Sequence, residues 1–266
     1  MIEVLKLVQI YQVMPGGSTM PLLIEAKNSK GEIGKYVVKL FSVKMNKENF
    51  SLAKEIIVNC MAKEFDLNVP SFGVIKIDFS LLKDYYPENV IEKLDKGFAF
   101  CSSFMSQHVL ADSNFSVKFA GNYNFPILYA FDSLILNTDR GGFRNKPNLL
   151  VNDDEFCLID HELTLPFINS LYTTKDKGNY FISLSNFAYQ KHIAFDILRK
   201  RSNDKHMFDE FEEYMKFFDS TRINAIFNEL NFLGIPYGAK ASYNDFFNLF
   251  KSKSNDVCKI IKESLR

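Results

Sequence analysis

The spacing of apolar residues changes along the chain, from strand-like at the start to helical later. Runs of apolar, often β-branched residues bounded by turn sequences predict five short strands. These strands lie at residues 2–13, 21–26, 36–41, 73–77 and 97–105. Between the third and fourth strands, apolar residues recur at steps of three and four from Phe50 to Met61. That period predicts an amphipathic helix, which ends before Pro70 because proline cannot continue it.

From about residue 107 the pattern is mostly helical. A segment at 125–136 is apolar on one face, and three longer segments carry apolar stripes with helical spacing. The three lie near residues 180–199, 205–231 and 243–265. The sequence therefore predicts an α+β fold, with a β-rich N-terminal lobe over residues 1–105 and a helical C-terminal lobe over residues 106–266. The crevice between two such lobes is the expected ligand site.

Composition narrows the class of protein. The 266 residues are 47% hydrophobic, enough for a substantial core, and the 27 Phe and 12 Tyr indicate an aromatic one. Lys plus Arg equals Asp plus Glu at 32 each, so no strong field attracts nucleic acid or an anionic membrane. The four cysteines form no CxxC pair, which disfavours zinc and indicates reduced thiols. Without a signal peptide or an apolar run of about 18 residues, we expect a cytoplasmic protein.

The stretch from Asn148 to Asp160 combines strand-like apolar runs with polar ends. Leu149–Val151 and residues 156–159 predict a β-hairpin around the turn NDDE. Folding the chain there brings Asn148 and Asp160 to the same open end, where an amide oxygen beside a carboxylate suits Mg²⁺. Asp139 lies on the preceding loop, nine residues before Asn148. There its carboxylate could accept the proton of an attacking hydroxyl, as phosphoryl transfer requires.

A cationic site precedes this stretch. YVVKL places Lys39 on an apolar strand face, where an ammonium is tolerated if it meets phosphate and a carboxylate. Glu55 lies on the following helix, at a distance that lets it reach back to that strand. The sequence PGGST links the first two strands, and its two glycines let the backbone approach a ligand closely. Consecutive N–H groups in such a loop can bind phosphate oxygens.

Each of these features alone has an ordinary structural explanation. A strand lysine is commonly a solvated edge residue, and a Gly-Gly pair between strands is commonly a turn. An Asp-Arg pair on a loop is usually a local ion pair, and a helix glutamate is usually solvated. The amide and carboxylate of the hairpin could simply cap turns. The order of all six along one chain favours a single phosphoryl-transfer site over coincidence.

Three stretches together resemble the HipA-like kinases, bacterial serine/threonine kinases with a lipid-kinase-like fold. They are GGSTMPLLIEA…KYVVKL, KEIIVNCMAKEFDLNVP and FDSLILNTDR…NKPNLLV…LIDHE, which cover about residues 12–165. The resemblance implies a two-lobed kinase that uses ATP and Mg²⁺. It implies nucleotide binding by Gly16, Gly17, Ser18, Thr19 and Lys39, with Lys39 oriented by Glu55. It implies that Asp139 is the catalytic aspartate and that Asn148 and Asp160 ligate Mg²⁺.

The chain departs from the protein-kinase pattern in three places. Asn148 is nine residues after Asp139, where that pattern places its asparagine five residues on, so Asn145 competes for the same role. Asn148 is favoured because NLLV leads directly into the hairpin. His161 stands where protein kinases have Phe, and the HRD sequence is absent. His108, His192 and His206 fit no metal spacing and are expected to be surface or hydrogen-bonded core residues.

The resemblance favours a kinase that acts on serine or threonine of a protein, including itself. It also implies a regulatory protein partner of the toxin–antitoxin kind. The balanced charge of the chain gives no indication of a nucleic acid or membrane partner. A small-molecule or lipid kinase would use the same residues, because fold and nucleotide site do not identify the acceptor. A catalytically inactive nucleotide-binding module is the third alternative. All the charged and amide positions are intact, which argues against it.

Overall fold

The computed structural model describes residues 1–15, 19–111, 123–141, 147–168 and 180–266. As predicted, the N-terminal part is rich in β-structure and the C-terminal part is mainly helical, which makes the fold α+β. The strands are β1 (Glu3–Val13), β2 (Leu22–Lys27), β3 (Ile33–Lys39), β4 (Phe72–Ile75), β5 (Ala99–Ser103), β6 (Val109–Leu110), β7 (Leu149–Val151) and β8 (Phe156–Leu158).

Nine α-helices lie within the described residues, and a membrane-spanning helix, which must be long and apolar, is not among them. They are α1 (Ser51–Glu64), α2 (Glu88–Ile91), α3 (Phe125–Leu134), α4 (Tyr180–Ser185), α5 (Phe195–Arg199), α6 (Asp209–Phe217), α7 (Ser220–Leu233), α8 (Lys240–Ser252) and α9 (Ser254–Glu263). A π-helical turn covers Met45–Asn49, and 3₁₀ turns cover Phe79–Asp84, Pro166–Ile168 and Tyr189–Lys191.

The first five strands form a closed barrel in the order β1-β2-β3-β5-β4. Four of the strand pairs are antiparallel, and the fifth, between β1 and β4, is parallel and closes the ring. Alternate residues of β2 point inward and are fully buried, namely Leu22, Ile24 and Ala26. Val38 of β3 and Cys101 of β5 join them in a core of the barrel's own. The five predicted strands are thus confirmed, with ends shifted by a few residues.

Closure of the barrel depends on a close backbone approach at Gly73 of β4. Gly73 pairs with Glu3 at the start of β1. A Cβ atom at position 73 would lie 2.4 Å from the carbonyl oxygen of Glu3, far inside van der Waals contact. Only glycine therefore lets the two strands pair at this point.

Helix α1 differs from its prediction as an amphipathic helix. Every residue from Ser51 to Asn59 is buried, including the charged Lys54 and Glu55. The helix lies between β5 of the barrel and α7 of the helical part, so it is covered on more than one side. A helix with such surroundings needs partners for its charged side chains, because an unpaired buried charge is costly.

The three long helical segments predicted after residue 180 are each divided in two. The break between α6 and α7 falls at Asp219, whose side chain caps α7 by accepting a hydrogen bond from the Thr221 amide at 2.9 Å. Lys253 leaves the helical conformation between α8 and α9, with φ −124°. Apolar spacing continues across these breaks, so periodicity alone predicts a single helix.

An aromatic cluster joins α1 to the helical part. Phe65, which follows α1 directly, is fully buried. Its ring lies between 5.1 and 6.2 Å from four other rings, which belong to Phe131, Phe211, Phe218 and Phe250. Aromatic pairs at these distances stabilise a core beyond the area they bury. The abundance of Phe in the sequence therefore corresponds to core packing, as predicted.

Gly73→Ala tests whether the barrel is closed through β1 and β4. The added methyl group must push the strands apart, so we expect the free energy of unfolding to fall by about 1–3 kcal/mol. Urea unfolding measures this change. Gly34→Ala on β3 is the control, because its nearest neighbour is the movable side chain of Tyr36 at 3.3 Å. Equal losses in the two variants would contradict the close approach at Gly73.

Candidate active site

Lys39 is the last residue of β3 and lies at the centre of a charged cluster. Its side chain is only 12% exposed, and its ammonium group forms ion pairs with three carboxylates. It contacts Glu55 of α1, Asp160 at 2.5 Å and Glu162 at 3.2 Å. The predicted approach of Glu55 to the strand lysine is therefore present. The cluster joins β3, α1 and the segment that follows β8.

The charges of this cluster stabilise one another. Burial alone would lower the pKa of Lys39, but Asp160, Glu162 and Glu55 outweigh burial and hold the pKa well above its ordinary value. Burial alone would raise the pKa of Glu55, but Lys39 lowers it to about 2. Lys39 likewise outweighs burial at Asp160, whose pKa is below its usual range. Lys39, Glu55 and Asp160 are therefore all ionised at neutral pH.

Glu162 behaves differently from the other two carboxylates. Burial raises its pKa well above the ordinary value, and the hydrogen bond and charge of Asp160 add to this effect despite Lys39. The sequence pattern predicts no role for Glu162. The available signal was a second acidic residue two positions after Asp160, in the sequence LIDHE.

The predicted hairpin forms from β7 and β8, with Leu149 opposite Leu158. One residue further, the amide of Ile159 donates to the carbonyl oxygen of Asn148 at 3.2 Å. Asn148 and Asp160 therefore lie at the same end of the hairpin, as predicted. Both have left-handed backbones, with φ of +47° and +70°. Non-glycine residues in this conformation are held there by their surroundings, often at functional sites.

Asp139 lies on the turn after α3 and contacts Asn148. The side-chain amide of Asn148 donates to the Asp139 carboxylate at 2.9 Å and to its carbonyl oxygen at 3.0 Å. The Asp139 amide in turn donates to the Asn137 side chain at 3.1 Å. The structure thus brings Asp139 and Asn148 together beside the hairpin end that also carries Asp160.

Part of the predicted site lies outside the described residues. Gly16, Gly17 and Ser18 of the glycine loop are among these, as is Asn145, the alternative to Asn148. Thr19 is described and is partly buried. The loop begins and ends close together, since the Met14 amide donates to the Pro21 carbonyl oxygen at 2.7 Å. Phosphate binding by this loop stays a prediction.

Arg140 is a residue whose importance the sequence did not reveal. An Asp-Arg pair on a loop suggested a local ion pair, but Arg140 is buried and pairs with Asp132 of α3 at 2.8 Å. Burial alone would raise the pKa of Asp132, but Arg140 holds it well below its usual range. The sequence contains one signal for this buried pair, because Asp132 lies within the apolar segment FDSLIL.

The histidines have the structural roles expected of them. His192 is buried against Asp132 at 3.0 Å, His108 lies 3.5 Å from Glu155, and His206 lies 2.6 Å from Asp209. His161, in the position where protein kinases have Phe, is fully buried. Its ring nitrogens lie 3.6 Å from Glu55, 3.4 Å from Asn59 and 3.5 Å from Arg140.

The donor set fits a divalent cation. Carboxylate oxygens of Glu55, Asp160 and Glu162 lie within 4.8 Å of one another, and the amide of Asn148 lies at the same end of the hairpin as Asp160. Mg²⁺ prefers such hard oxygen ligands, commonly one or two carboxylates together with phosphate and water. The carboxylates also outnumber the single ammonium group of Lys39, so the site can accept further positive charge.

Comparison with known proteins identifies a family. A family model described as HipA-like kinase matches residues 7–221, most of the chain. Among solved structures, the Helicobacter pylori proinflammatory kinase CtkA is 14% identical, with 97% of this chain and 95% of that chain covered and a TM-score of 0.48. The complete CtTel1 dimer is 11% identical, with 97% of this chain and 11% of that chain covered and a TM-score of 0.31. Curated proteins gave no match.

Lys39→Met tests whether the ammonium neutralises the buried carboxylates. The substitution leaves Glu55 and Asp160 without their cation, so we expect a loss of about 3–5 kcal/mol in the free energy of unfolding at pH 7. Without Lys39 the pKa of Glu55 rises above its unfolded value, so acidification restores stability to the variant. The parent, in which Lys39 lowers that pKa to about 2, gains nothing from Glu55 between pH 7 and pH 5. The difference in free energy of unfolding between the parent and the variant should therefore be smaller at pH 5 than at pH 7.

Urea unfolding of both proteins at pH 7 and pH 5 measures this difference. Lys35→Met, two residues earlier on β3 at an exposed position, is the matched control and should change stability little. A loss at Lys39 no larger than at Lys35 would show that the ammonium does not compensate the carboxylates.

Proposed function

The chain belongs to the HipA-like kinase family, and from this premise we propose that it is an ATP- and Mg²⁺-dependent kinase that transfers the γ-phosphoryl group to a hydroxyl group. The proposed acceptor is serine or threonine of a protein, including the kinase itself. We place this activity in the cytoplasm, with a regulatory protein partner of the toxin–antitoxin kind.

The contact of Lys39 with Glu55 and Asp160 supports the proposal most directly. A buried ammonium surrounded by carboxylates from separate elements is suited to binding the α- and β-phosphates of ATP, with Glu55 holding it in place. Asp160 and Asn148 are the residues that would hold Mg²⁺, which neutralises phosphate charge when bound. The Gly16–Thr19 loop would cover the phosphates from the side of the barrel.

Asp139 is the proposed catalytic base. Its carboxylate would accept the proton of the acceptor hydroxyl while the oxygen forms its bond to the γ-phosphorus and the bond to the β-phosphate oxygen breaks, releasing ADP. The Asn148 amide donates to the same carboxylate and fixes its orientation. Positioning of this kind supplies most of the catalysis in phosphoryl transfer, because little covalent chemistry is left to the protein.

The proposed arrangement is two-lobed, as in protein kinases. Residues 1–105 would form the nucleotide-binding lobe around the barrel, and residues 106–266 the catalytic lobe. Lys39 and Glu55 come from the first lobe, and Asp139, Asn148 and Asp160 come from the second. The ion pair of Lys39 with Asp160 crosses this boundary and is consistent with a nucleotide site in the crevice.

Incubation with γ-labelled ATP and Mg²⁺, alone and with cell lysate, tests the proposal. Label on the chain or on a discrete protein band supports a protein kinase. Label that appears only in the lipid or small-molecule fraction moves the acceptor to that class, although the balanced charge of the chain gives no support to a lipid head group. If the protein binds nucleotide but transfers no phosphate, it is a catalytically inactive nucleotide-binding module, and the proposal is overturned.

Asp139→Asn and Asp160→Asn should separate catalysis from metal binding. Asp139 acts on the hydroxyl mainly in the transition state, so its variant should bind Mg²⁺-ATP nearly normally and lose about 10²–10⁴-fold in turnover. Asp160→Asn should lose Mg²⁺-dependent nucleotide binding and turnover together. Calorimetric titration with a non-hydrolysable ATP analogue, beside a phosphotransfer assay, measures both. The reverse pattern would exchange the two roles, and two unaffected variants would remove both residues from the site.

Asn148→Ala and Asn145→Ala should distinguish the two candidate metal ligands. Loss of a ligand raises the Mg²⁺ concentration that nucleotide binding requires. We expect a clear increase for Asn148→Ala and a weak one for Asn145→Ala, measured as the midpoint of a Mg²⁺ titration at fixed nucleotide. A larger effect at Asn145 would assign the metal site to that residue instead.

A further inference from the structure

We propose that Arg140, held by Asp132, is a positioning residue that fixes the catalytic turn and the metal-binding end of the hairpin at one distance from each other. This inference rests on the proposed function, since it concerns how Asp139, Asn148 and Asp160 are kept in register. Arg140 belongs to the turn that carries Asp139, yet its side chain points away into the protein.

The guanidinium group of Arg140 connects two elements. On one side its Nε and Nη2 atoms donate to the Asp132 carboxylate, at 2.8 and 3.4 Å. On the other side Nη1 donates to the carbonyl oxygens of Pro147 at 3.3 Å and of Ile159 at 3.1 Å, and also to that of Asn148. One side chain therefore binds α3 and both strands of the hairpin at its open end.

These carbonyl groups are adjacent to the residues proposed to bind the metal. Asn148 itself and the residue before Asp160 provide two of the three acceptors. Asn148 and Asp160 both have left-handed backbones, a conformation that is uncommon for non-glycine residues and that neighbouring contacts stabilise. Arg140 supplies such contacts at Asn148 and at Ile159, the residue before Asp160, so it holds the backbone from which both side chains extend.

Asp132 is itself held by two further donors. Its carboxylate accepts hydrogen bonds from the Asn137 side chain at 2.7 Å and from His192 Nε2 at 3.0 Å. Nδ1 of His192 accepts from the Ala194 amide at 3.1 Å, so Nε2 carries the proton that is donated to Asp132. Asp132 is therefore the fixed point from which Arg140 reaches the hairpin.

The hydrogen bonds form a closed ring around the catalytic turn. Asn137 binds Asp132 and accepts from the Asp139 amide, Asp139 binds the Asn148 side chain, and Arg140 returns from the Asn148 carbonyl to Asp132. Because each member is held by two others, a change at Arg140 should reach Asp139 and Asn148 together. A planar guanidinium makes all these contacts at once, whereas a lysine ammonium has no such fork.

Arg140→Lys is the first test. Disturbed support behind a metal site or catalytic group typically costs about 10–100-fold in metal affinity or activity. We expect kcat to fall and the Mg²⁺ midpoint for nucleotide binding to rise by factors in that range. Affinity for the nucleotide without Mg²⁺ should stay close to that of the parent. Arg222→Lys is the control, because Arg222 forms an exposed ion pair with Glu64 at 2.9 Å.

His192→Leu and His192→Gln form a milder pair, for use if Arg140→Lys does not fold. Leucine removes the donor to Asp132, whereas glutamine retains an N–H group that can replace it. We expect His192→Leu to lower kcat and raise the Mg²⁺ midpoint, and His192→Gln to recover much of both. If His192 has a purely structural role, the substitutions should shift the urea midpoint of unfolding without this difference in kcat and Mg²⁺ midpoint between the two variants.

Three outcomes would count against the proposal or its premise. A folded Arg140→Lys protein with the parent's kcat and Mg²⁺ midpoint overturns the positioning role. A parent that binds Mg²⁺-nucleotide without transferring phosphate overturns the proposed function, while the Mg²⁺ midpoints of the variants still decide the role of Arg140. A parent without Mg²⁺-dependent nucleotide binding overturns both.

Discussion

The structure depends on one requirement, the joint burial of a single ammonium group and the carboxylates around it. Lys39 lies at the end of a barrel strand, Glu55 in the middle of a buried helix, and Asp160 and Glu162 after the hairpin. The charges of Lys39, Glu55 and Asp160 need one another in these positions, because desolvation of an isolated charge is costly. The barrel, helix α1 and the hairpin must therefore meet at this cluster.

The sequence predicted the elements whose determinants are local. The hairpin follows from two apolar runs around a polar turn, and its geometry alone brings Asn148 and Asp160 to one end. The contact of Lys39 with Glu55 was predictable because one strand leads into one helix. The five strands of the barrel were also predictable from their composition. In each case the signal lies within a short stretch of chain.

Features that depend on distant partners were not predictable. Nothing near Glu3 or Gly73 indicates that the first and fourth strands pair in parallel and close the barrel. The burial of α1 on several sides depends on α7, more than 150 residues later in the chain. Arg140 looked like a loop residue because its partner Asp132 lies within an apolar helix, where sequence reasoning expects only packing. The spacing of apolar residues carries no information about which charged residues pair over a long range.

The closure of the barrel is short, and this has a consequence for self-association. Only Glu3–Leu5 of β1 pair with β4, although β1 continues to Val13, where β2 binds it on the other side. Further along β1, the strand edge on the β4 side is partly covered, because the Tyr85 hydroxyl donates to the Ile10 carbonyl oxygen at 2.9 Å. With three residue pairs, this seam is the shortest pairing in the ring, and opening it would expose a strand edge that another chain can join. Aggregation of partly unfolded molecules should therefore begin at this seam.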